Sequence, residues 1–565
     1  MNPAKQETGR LRYNGAQIIV KMLEKHGITR VAGIPGGASL PIYDALTESP
    51  IEHVLTRHEQ GAGFVAQGMA RVTGVPGVCM ACSGPGATNL VTAVADAHLD
   101  SIPLIAITGQ VATPLLGTDA FQETDTYGVM LPITKHNWMA RSAEELLEIM
   151  PEAFRIATSG RPGPVSIDVP KDVQQQFVEF DEWPELGLAD PLPQPQADDI
   201  EKMLKMLNEA KRPMLMIGGG ITHSSCADDL VEFAEQHSIP TVASFMGLGN
   251  MPSSHPLFLG MLGMHGARYT NMVLEECDLL IGAGVRFDDR ATGKVSKFCP
   301  QASIIHIDID ESEIGKIKNP TLAIQADVGA TLQICIENST PVQRIDWCER
   351  VAYLKQHFGL DFANSKGIFQ PYNLLQSLAN ITDEQTNIIT DVGQHQMWTS
   401  QVFPFQRARQ WISSGGLGTM GFGLPAAIGA ALAQPERLAL CISGDGSIMM
   451  NIQELATAVE HDLNIKIIIM NNNNLGLVRQ QQTLFYGARH HAVNSRRGTN
   501  FVALAEAMGA KGFDLSNSSD PLNTLQQVMQ EPGPCVVNVN ISEDEMVLPM
   551  VPPGASNSEM ILEQV

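Results

Sequence analysis

The sequence predicts an α/β protein made of three doubly wound domains, each with a parallel sheet covered by helices on both faces. Its 565 residues exceed what a single hydrophobic core organises. Short apolar runs such as "VCMACSG", "LLIGAG" and "IKIIIMN" alternate with longer helical patterns. Because strands buried on both faces are apolar throughout, these runs indicate parallel sheets. A composition of 44% hydrophobic and 17% charged residues is typical of globular proteins.

Two stretches with weak helix and strand patterns are predicted to be linkers. Residues 180–199 are rich in proline and acids, and residues 337–373 combine Gly, Pro, Asn and Ser. The predicted domains therefore cover residues 11–178, 195–335 and 370–545. A loop-rich tail follows over residues 546–565, and both ordering over a site and fraying are compatible with its sequence.

The first and third domains share a glycine framework. "GAGFVAQGMARVTGVPGVCMACSGPGATN" begins at Gly61, and "GFGLPAAIGAALAQPERLALCISGDGSIM" begins at Gly421. The two leading glycines are as far apart as the Ser-Gly turns at Ser83 and Ser443. Two copies of one fold around a different middle domain are the simplest explanation, and chance similarity between α/β units is the alternative.

Charge and composition argue against several classes of partner. The chain has 37 Lys and Arg against 61 Asp and Glu, a net charge of −24, which disfavours nucleic acid and anionic membranes. The most membrane-like run, Leu417–Ala433, contains Gly and Pro and is predicted to be a packed internal helix. The amino terminus has no apolar signal region, and the nine cysteines form no disulfide framework, so we expect a cytoplasmic protein.

Cys79 and Cys82 in "CMAC" have the spacing of a redox or zinc pair. Their neighbours predict a strand, on which residues three apart face opposite sides. We therefore expect two small core residues.

An acid at the end of an apolar run predicts a metal site. Asp445 lies between two glycines in "LALCISGDGS", and Asn472 follows the next apolar run, "IKIIIMN". Ligands of parallel sheets bind beyond the carboxyl ends of strands. Glycine amides there can bind phosphate, and a carboxylate beside phosphate requires a cation between them. Asp445, Asn472 and a backbone carbonyl near Asn474 are therefore predicted to bind Mg²⁺ or Ca²⁺ with a diphosphate, with ordinary structural turns as the alternative.

Several longer motifs make the chain resemble the acetohydroxyacid synthase (acetolactate synthase) large subunits. They include "RHEQGAGFVAQGMAR", "GTDAFQE", "SGRPGPVSIDVPKDV", "GVRFDDRATGK" and "GGLGTMGFGLPAAIGA", and the match runs from about residue 17 to 554. The resemblance implies the thiamine diphosphate-binding fold, with pyrimidine, central FAD and diphosphate domains. It also implies condensation of pyruvate with a second pyruvate or with 2-ketobutyrate, in branched-chain amino acid biosynthesis.

The resemblance assigns catalytic roles to residues of the first domain. Glu59 matches the glutamate that hydrogen-bonds the cofactor's aminopyrimidine ring, although by itself it would be a helix-start acid. Residues that match positions lining the substrate space are Gly36, Gln122 and Lys171. Residues predicted to contact the second substrate are Arg290, Gln481 and Phe121. Without the resemblance, Arg290 beside Asp288 and Asp289 is a solvated charge cluster.

Cofactor positions follow from the same resemblance. Those expected to bind thiamine diphosphate, with Glu59, are Gln394, His395, Gly418, Met420, Gly444, Asp445, Gly446, Ser447, Asn472, Gly476 and Leu477. Those expected to bind FAD are Arg161, Gly218, Gly219, Gly220, Gly263, Met264, His265, Gly266, Gly284, Arg286, Asp288, Arg290, Asp308, Ile309, Asp327 and Val328. No strict dinucleotide fingerprint is present, so the glycines alone indicate only a Rossmann-like turn. In the family the flavin has a structural, non-redox role.

Two positions depart from the family pattern. Gln481 stands where members commonly have the Trp associated with preferring 2-ketobutyrate, so we expect weak preference between acceptors. Ala112 stands where Pro is frequent, a change expected to affect herbicide contacts more than chemistry.

The resemblance further implies a homodimer, whose active sites lie between the first domain of one copy and the third of the other, and a small regulatory subunit. Alternatives are a flavin-containing pyruvate oxidase and a flavin-free catabolic synthase. A nicotinamide dehydrogenase would leave Glu59, Asp445 and Asn472 without roles. A non-catalytic binding protein is the remaining alternative.

Overall fold

The computed structural model describes residues 10–360 and 367–563. Within these residues lie three six-stranded sheets, in which the paired strands run parallel, and one two-stranded antiparallel ribbon. Helices pack on the sheets, so the predicted α/β class is confirmed. Over the same residues no helix combines the length and apolar character that crossing a membrane requires.

The first sheet has the order β3-β2-β4-β5-β7-β6, and β1 and β8 form the ribbon beside it. Its strands are β1 Leu11–Asn14, β2 Arg30–Gly33, β3 Glu52–Leu55, β4 Gly77–Ala81, β5 Leu104–Gln110, β6 His136–Met139, β7 Pro164–Pro170 and β8 Phe177–Phe180. Its helices are α1 Gly15–Lys25, α2 Leu40–Leu46, α3 Glu59–Thr73, α4 Pro85–Leu99, α5 Thr126–Met130, α6 Leu146–Thr158 and α7 Lys171–Gln175. Cys79 is buried on β4, whereas Cys82 lies beyond its end, half-buried; both are free thiols.

The middle sheet has the order β11-β10-β9-β12-β13-β14, the dinucleotide-binding order in which the chain reverses direction beside the first strand. Its strands are β9 Pro213–Ile217, β10 Thr241–Ala243, β11 Phe258–Met261, β12 Leu279–Ala283, β13 Ser303–Asp308 and β14 Leu322–Gln325. Its helices are α8 Ala197–Glu209, α9 Gly219–Ser224, α10 Ala227–Gln236, α11 Arg268–Glu276, α12 Asp289–Thr292, α13 Val328–Asn338 and α14 Ile345–His357.

Helix α14 lies inside the stretch predicted to be a linker, so that prediction was wrong for residues 345–357. The buried Trp347 donates from Nε1 to the carbonyl of Pro213 at 3.0 Å. Val351 and Leu354 are also buried, against the middle sheet. The middle domain therefore extends past the predicted limit at 335; residues 361–366 lie outside the described part of the chain.

The third sheet has the order β16-β15-β17-β18-β20-β19. Its strands are β15 Asn387–Thr390, β16 Trp411–Ile412, β17 Ala439–Gly444, β18 Ile465–Asn471, β19 Lys511–Asp514 and β20 Cys535–Asn540. Its helices are α15 Pro371–Ile381, α16 Gln394–Val402, α17 Gly423–Ala433, α18 Asp445–Ile448, α19 Leu455–Glu460, α20 Gly476–Phe485, α21 Phe501–Ala507 and α22 Pro521–Gln530. Counted along the chain, this is the strand order of the first sheet. The predicted internal repeat is thus visible in the topology.

Helices α3 and α17 join the first and third domains. A side chain at Gly68 would collide with the carbonyl of Ala426, and one at Gly429 with that of Val65, so the two backbones touch where glycine stands. Phe64 and Phe422 pack edge to face beside them. Of the run predicted to be an internal packed helix, residues 423–433 form the buried helix α17, whereas residues 417–422 are not helical.

The described part of the tail packs against the other domains. Its Val547 amide donates to Gln480 at 2.8 Å, and its Val551 amide donates to the carbonyl of Met264 at 2.8 Å. Asn557 donates to the carbonyl of Ala291 at 3.0 Å. Of the two options left open by the sequence, ordering therefore holds for residues 546–563.

Candidate active site

A cleft of about 180 Å³ opens at the carboxyl ends of the third sheet's strands. Asp445 begins α18 directly after β17, and Asn472 directly follows β18, the neighbouring strand. The third-domain residues predicted for the diphosphate line this cleft together, namely Gln394, His395, Gly418, Met420, Gly444, Asp445, Gly446, Ser447, Asn472, Asn474, Gly476 and Leu477. The residues predicted from the strand ends and those implied by the resemblance therefore lie together, while their role stays a prediction.

Asp445 and Asn472 offer oxygen ligands to a hard cation. The Asn472 amide donates to Asp445 Oδ1 at 3.2 Å, which holds the two residues side by side. Burial raises the pKa of Asp445 to about 6, because the charged form loses hydration without a bound cation. A divalent cation would stabilise that charge. Among the described residues no three His, Cys, Asp or Glu side chains converge, so carbonyls, water or ligand oxygens would complete the coordination.

His395 leaves a buried polar atom unsatisfied beside this pair. Its Nε2 has no hydrogen-bond partner among the described residues, and burial lowers its pKa to about 3. The ring is therefore neutral and can donate one N–H. Its ring lies against Gly444, in the turn that carries Asp445. In the tautomer that carries its proton on Nε2, the ring can donate to an anionic oxygen in the cleft, which fits a diphosphate.

Gln394 links the cleft to Glu545, the residue before the tail, and to Gln480, which binds the tail. Its Oε1 accepts from Asn472 Nδ2 at 3.2 Å, and its Nε2 donates to Gln480 at 3.1 Å and to the Glu545 carbonyl at 2.8 Å. A side chain at Gly476 would collide with Gln394 Oε1, so the start of α20 approaches this relay only as glycine. The amide end of α20 thereby opens into the cleft, as phosphate binding requires.

A second cavity, of about 680 Å³, lies where the three domains meet. Its size suits a large organic ligand. Residues predicted for FAD that line it are Arg161, Gly218, Gly219, Gly220, Met264, His265, Gly284, Arg286, Asp288, Arg290, Asp308, Ile309, Asp327 and Val328. Gly418, Leu477 and Gln481 line it as well, so the two cavities adjoin.

Glycine-containing turns and hydrogen-bonded carboxylates line one side of the larger cavity. A side chain at Gly220 would lie 2.6 Å from the Gly284 Cα, so these turns pack backbone to backbone. Asp327 accepts from the Ala330 amide at 2.9 Å and from Ser224 Oγ at 3.0 Å. Burial raises the pKa of Asp308 to about 6. Gly263 and Gly266 do not line the cavity; Asn271 holds the Gly263 amide in the supporting loop at 3.0 Å.

Two of the three predicted arginines, Arg161 and Arg290, differ in how firmly their side chains are held. Arg161 pairs with Glu313 at 2.7 Å and contacts Ser101 at 2.8 Å, so it is fixed at the cavity wall. The Arg290 side chain is 66% exposed, and its nearest acid, Asp289, is 3.8 Å away. Arg290 is therefore available for a carboxylate ligand.

The four predicted catalytic residues lie together on a different surface. Glu59 begins α3 and accepts from Asn89 at 2.9 Å. Gly36 lies against Cys82, and the Gln122 backbone lies close to Gly84. Lys171 begins α7 after β7, at the same end of the first sheet, and Phe121 beside Gln122 is 88% exposed. None of these residues lines either cavity of the same chain.

Several lining residues were not predicted. Trp398 and Leu475 line the smaller cleft, and His223, Phe245 and Met246 line the larger cavity. Burial lowers the pKa of His223 to about 4. Leu475 was detectable beside the predicted Asn474. The others are apolar or neutral residues on helices and turns, for which the sequence offers no local signal.

The chain matches three family models in order. They describe the N-terminal TPP binding domain, the central domain and the C-terminal TPP binding domain of thiamine pyrophosphate enzymes, at residues 13–129, 200–334 and 391–539. The chain is 55% identical over 555 residues to the acetolactate synthase isozyme 1 large subunit of Escherichia coli (strain K12), covering 98% of both chains.

Other relatives are also named acetolactate synthases. The isozyme 2 large subunit of the same bacterium is 45% identical over 97% of this chain and 99% of its own. The chloroplastic acetolactate synthase of Arabidopsis thaliana is 44% identical over 99% of this chain and 87% of its own. The chain therefore belongs to the acetolactate synthase large-subunit family and is a thiamine pyrophosphate-dependent enzyme.

Proposed function

We propose that the chain decarboxylates pyruvate and joins the two-carbon unit to a second pyruvate, giving 2-acetolactate, or to 2-ketobutyrate, giving 2-aceto-2-hydroxybutyrate. This is the first common step of valine, leucine and isoleucine biosynthesis. The observation that carries the proposal is the pairing of Asp445 and Asn472 at adjacent strand ends, beside the unsatisfied His395 Nε2. The proposed domains are residues 11–178, a middle domain that begins at 195 and includes α14, and residues 370–545, with a tail over 546–565.

Thiamine diphosphate, when bound, supplies the carbon nucleophile and the electron sink for decarboxylation. Asp445, Asn472 and a carbonyl near Asn474 would hold Mg²⁺ against its diphosphate, and the amides of Gly446 and Gly476 would bind the phosphate oxygens. Leu477, at the start of α20, would support the bent conformation of the cofactor. Glu59 would hold a proton at the aminopyrimidine ring nitrogen.

FAD is proposed for the larger cavity, in a structural rather than redox role. Its volume, the contact between Gly220 and Gly284 and the acids at β13 and β14 support a ligand with phosphate and hydroxyl groups. An absorption spectrum of the purified protein tests this, because a flavin-free catabolic synthase would be colourless. Oxygen or quinone reduction with pyruvate would instead favour an oxidase.

The second substrate is proposed to bind where the two cavities adjoin. Arg290 would pair with its carboxylate, and Gln481 would contact its alkyl group. Phe121, Gly36, Gln122 and Lys171 lie elsewhere on the chain, so they would come from another copy.

A homodimer is proposed because the two halves of the site are separated within one chain. Exposed apolar side chains surround both halves, including Phe121 at 88% and Leu131 at 58% in the first domain and Met450 at 52% in the third. A second copy would cover these surfaces and bring Glu59 to the cleft of Asp445. A small regulatory subunit is proposed from the relatives' designation as large subunits. The nine free thiols support a cytoplasmic location.

Asp445→Ala tests the proposal. We expect acetolactate formation to fall by at least about 100-fold even with excess cofactor, because the only charged protein ligand of the cation is lost. Production of acetolactate is measured together with Mg²⁺ and thiamine diphosphate affinity by calorimetry. Glu436→Ala, which removes an exposed acid of the same domain, is the control. Unchanged carboligation by Asp445→Ala would contradict the proposal.

Mixing two inactive variants tests the shared site. Glu59→Gln and Asp445→Ala chains each lack one half, but a mixed dimer contains one site with both halves intact. Random reassociation should restore about a quarter of wild-type activity. No recovery after verified chain exchange would show that each chain forms its site alone.

A further inference from the structure

Glu454 is a buried acid of the third domain that binds the first domain. It ends the 3₁₀ turn Ile452–Glu454 before α19, and none of its surface is exposed. Its carboxylate accepts from the backbone amides of Arg57 and His58, both at 2.9 Å, and from Thr457 Oγ1 at 2.8 Å. Arg57 and His58 directly precede Glu59, the first residue of α3.

Two features of the local packing support this contact. The backbone at His58 is extended, and its side chain is already used as a cap for the Gln60 amide at 3.1 Å. A side chain at Gly61 would contact Glu454 Oε1 at 2.5 Å, so glycine there makes room for the carboxylate. An anion beside a helix start is also favoured by the helix dipole.

Helix α19, which follows Glu454, contacts the same turn through a side chain and not through its backbone. Glu460 pairs with the Arg57 guanidinium at 2.8 Å, but this side chain is half exposed. Exposed ion pairs of this kind contribute little, whereas a buried carboxylate on backbone amides fixes the chain itself. The direction in which the chain enters α3 determines where the Glu59 side chain points.

We propose that Glu454 is a positioning residue for Glu59, holding the Arg57–His58 turn so that the Glu59 carboxylate meets the cofactor's ring nitrogen. This inference rests on the proposed function. Glu454 touches neither cofactor nor substrate; it acts through the backbone that carries Glu59. A small rotation of that carboxylate would weaken proton transfer while leaving the Asp445 cleft intact.

The test compares proton exchange with cofactor binding in the holoenzyme. NMR measures exchange of the thiazolium C2 proton of bound thiamine diphosphate for deuterium, and calorimetry measures cofactor affinity. Glu454→Ala should slow exchange by at least about 10-fold while cofactor affinity changes by less than about 3-fold. Glu454→Gln should recover exchange to within about 3-fold of wild type. Its carboxamide oxygen can accept from both amides while its NH₂ group donates to Thr457 Oγ1.

Glu460→Ala is the matched control, since it removes an acid that touches only the Arg57 side chain; it should exchange at the wild-type rate. If Glu454→Ala does not fold, Glu454→Asp replaces it, because the shorter side chain moves the carboxylate away from the two amides. The inference is overturned if the folded alanine or aspartate variant exchanges the C2 proton at the wild-type rate. It is also overturned if the exchange rate and the cofactor affinity fall by the same factor. Failure of the wild type to form acetolactate refutes the proposed function instead.

Discussion

In the first domain the sequence Ser-Gly-Pro-Gly, at residues 83–86, follows β4, whereas in the third domain Ser-Gly-Asp-Gly, at residues 443–446, spans the end of β17. Both segments lie at the carboxyl end of the corresponding strand of one sheet topology. Pro85 begins the 15-residue helix α4, a usual role for proline, while Asp445 begins a helix of four residues and faces a cleft. The two domains share the topology, and they differ at the strand end in the residue proposed to bind the metal, Asp445.

The sheet interiors differ as well. Ala81 and Cys441, each two residues before its Ser-Gly turn, pair along one row with Thr108 and Ile467 on the next strand. That row continues to Asp168 in the first sheet and to Val536 in the third. An acid therefore occupies a core position of one domain where the other has valine.

The largest expected effect removes the proton transfer proposed for Glu59 in the first domain. Counted by the repeat, Glu59 corresponds to Thr419, which has no acid-base group. Glu59→Gln should slow C2 proton exchange and carboligation by about 10²- to 10⁴-fold, because general acid-base catalysis is lost. The affinity of Glu59→Gln for the cofactor should change little, whereas that of Asp445→Ala should fall. Glu52→Gln, at an exposed position, is the control. If Glu59→Gln weakened cofactor binding but left the exchange rate of the bound cofactor unchanged, the assignment would be contradicted.

The next effect concerns the contact between the two domains. Arg71 on α3 pairs with Asp100 at 2.8 Å and Asp96 at 3.2 Å, and it donates to the Ser413 carbonyl at 3.0 Å. Asp100 in turn accepts the Gly416 amide at 2.7 Å. Arg71→Ala leaves two buried carboxylates without their cation, so the free energy of unfolding should fall by about 3–5 kcal/mol.

Chemical denaturation of the wild type and variant measures this loss. Arg155→Ala is the matched control, because Arg155 pairs with Glu152 and Asp190 on the surface. Arg155→Ala should lower the free energy of unfolding far less than Arg71→Ala does. Equal losses in both variants would mean that the buried network does not join the domains.

The buried Asp168 gives the first domain a pH dependence that Val536 cannot give the third. Burial raises its pKa to about 7, although Thr108 and Gln110 donate to it at 2.6 and 2.9 Å. The folded state therefore holds an extra proton between about pH 4 and pH 7, and stability falls as pH rises through that window. Asp168→Asn should flatten this fall, gaining up to about 4 kcal/mol relative to wild type by pH 8.

Denaturation at several pH values measures the difference between the two slopes. Other buried carboxyls with raised pKa values, such as Asp391, contribute equally to both proteins and cancel. Parallel slopes would mean that Asp168 is ionised in the fold throughout.

The smallest effect concerns acceptor choice beside the larger cavity. Gln481→Trp would add an apolar face at the proposed alkyl site, and should shift the product ratio toward the 2-ketobutyrate product by about 10- to 200-fold. Competition between pyruvate and 2-ketobutyrate, with both products quantified, measures the ratio. Gln481→Ala should leave the preference weak; an unchanged ratio in the tryptophan variant would place the acceptor elsewhere.

Sequence patterns predicted what is local. Asp445 and Asn472 end adjacent apolar runs, so their proximity follows from parallel pairing alone. Glu59 and Arg290 gained roles only through the family resemblance, because no nearby residue marks them. The contact of Glu454 with Arg57 joins residues 397 positions apart, and local sequence patterns cannot predict such a long-range contact. Helix α14 was missed because three buried residues on a mostly polar segment form too narrow an apolar face.

The direct contact of α3 with α17 also affects how the chain can come apart. One continuous apolar cluster contains residues of both domains, including Phe64, Val65, Phe422 and Leu424. Cutting the chain at its linkers would expose this shared surface on each fragment. The first and third domains should therefore unfold together in one cooperative transition, and neither is expected to be stable when expressed alone.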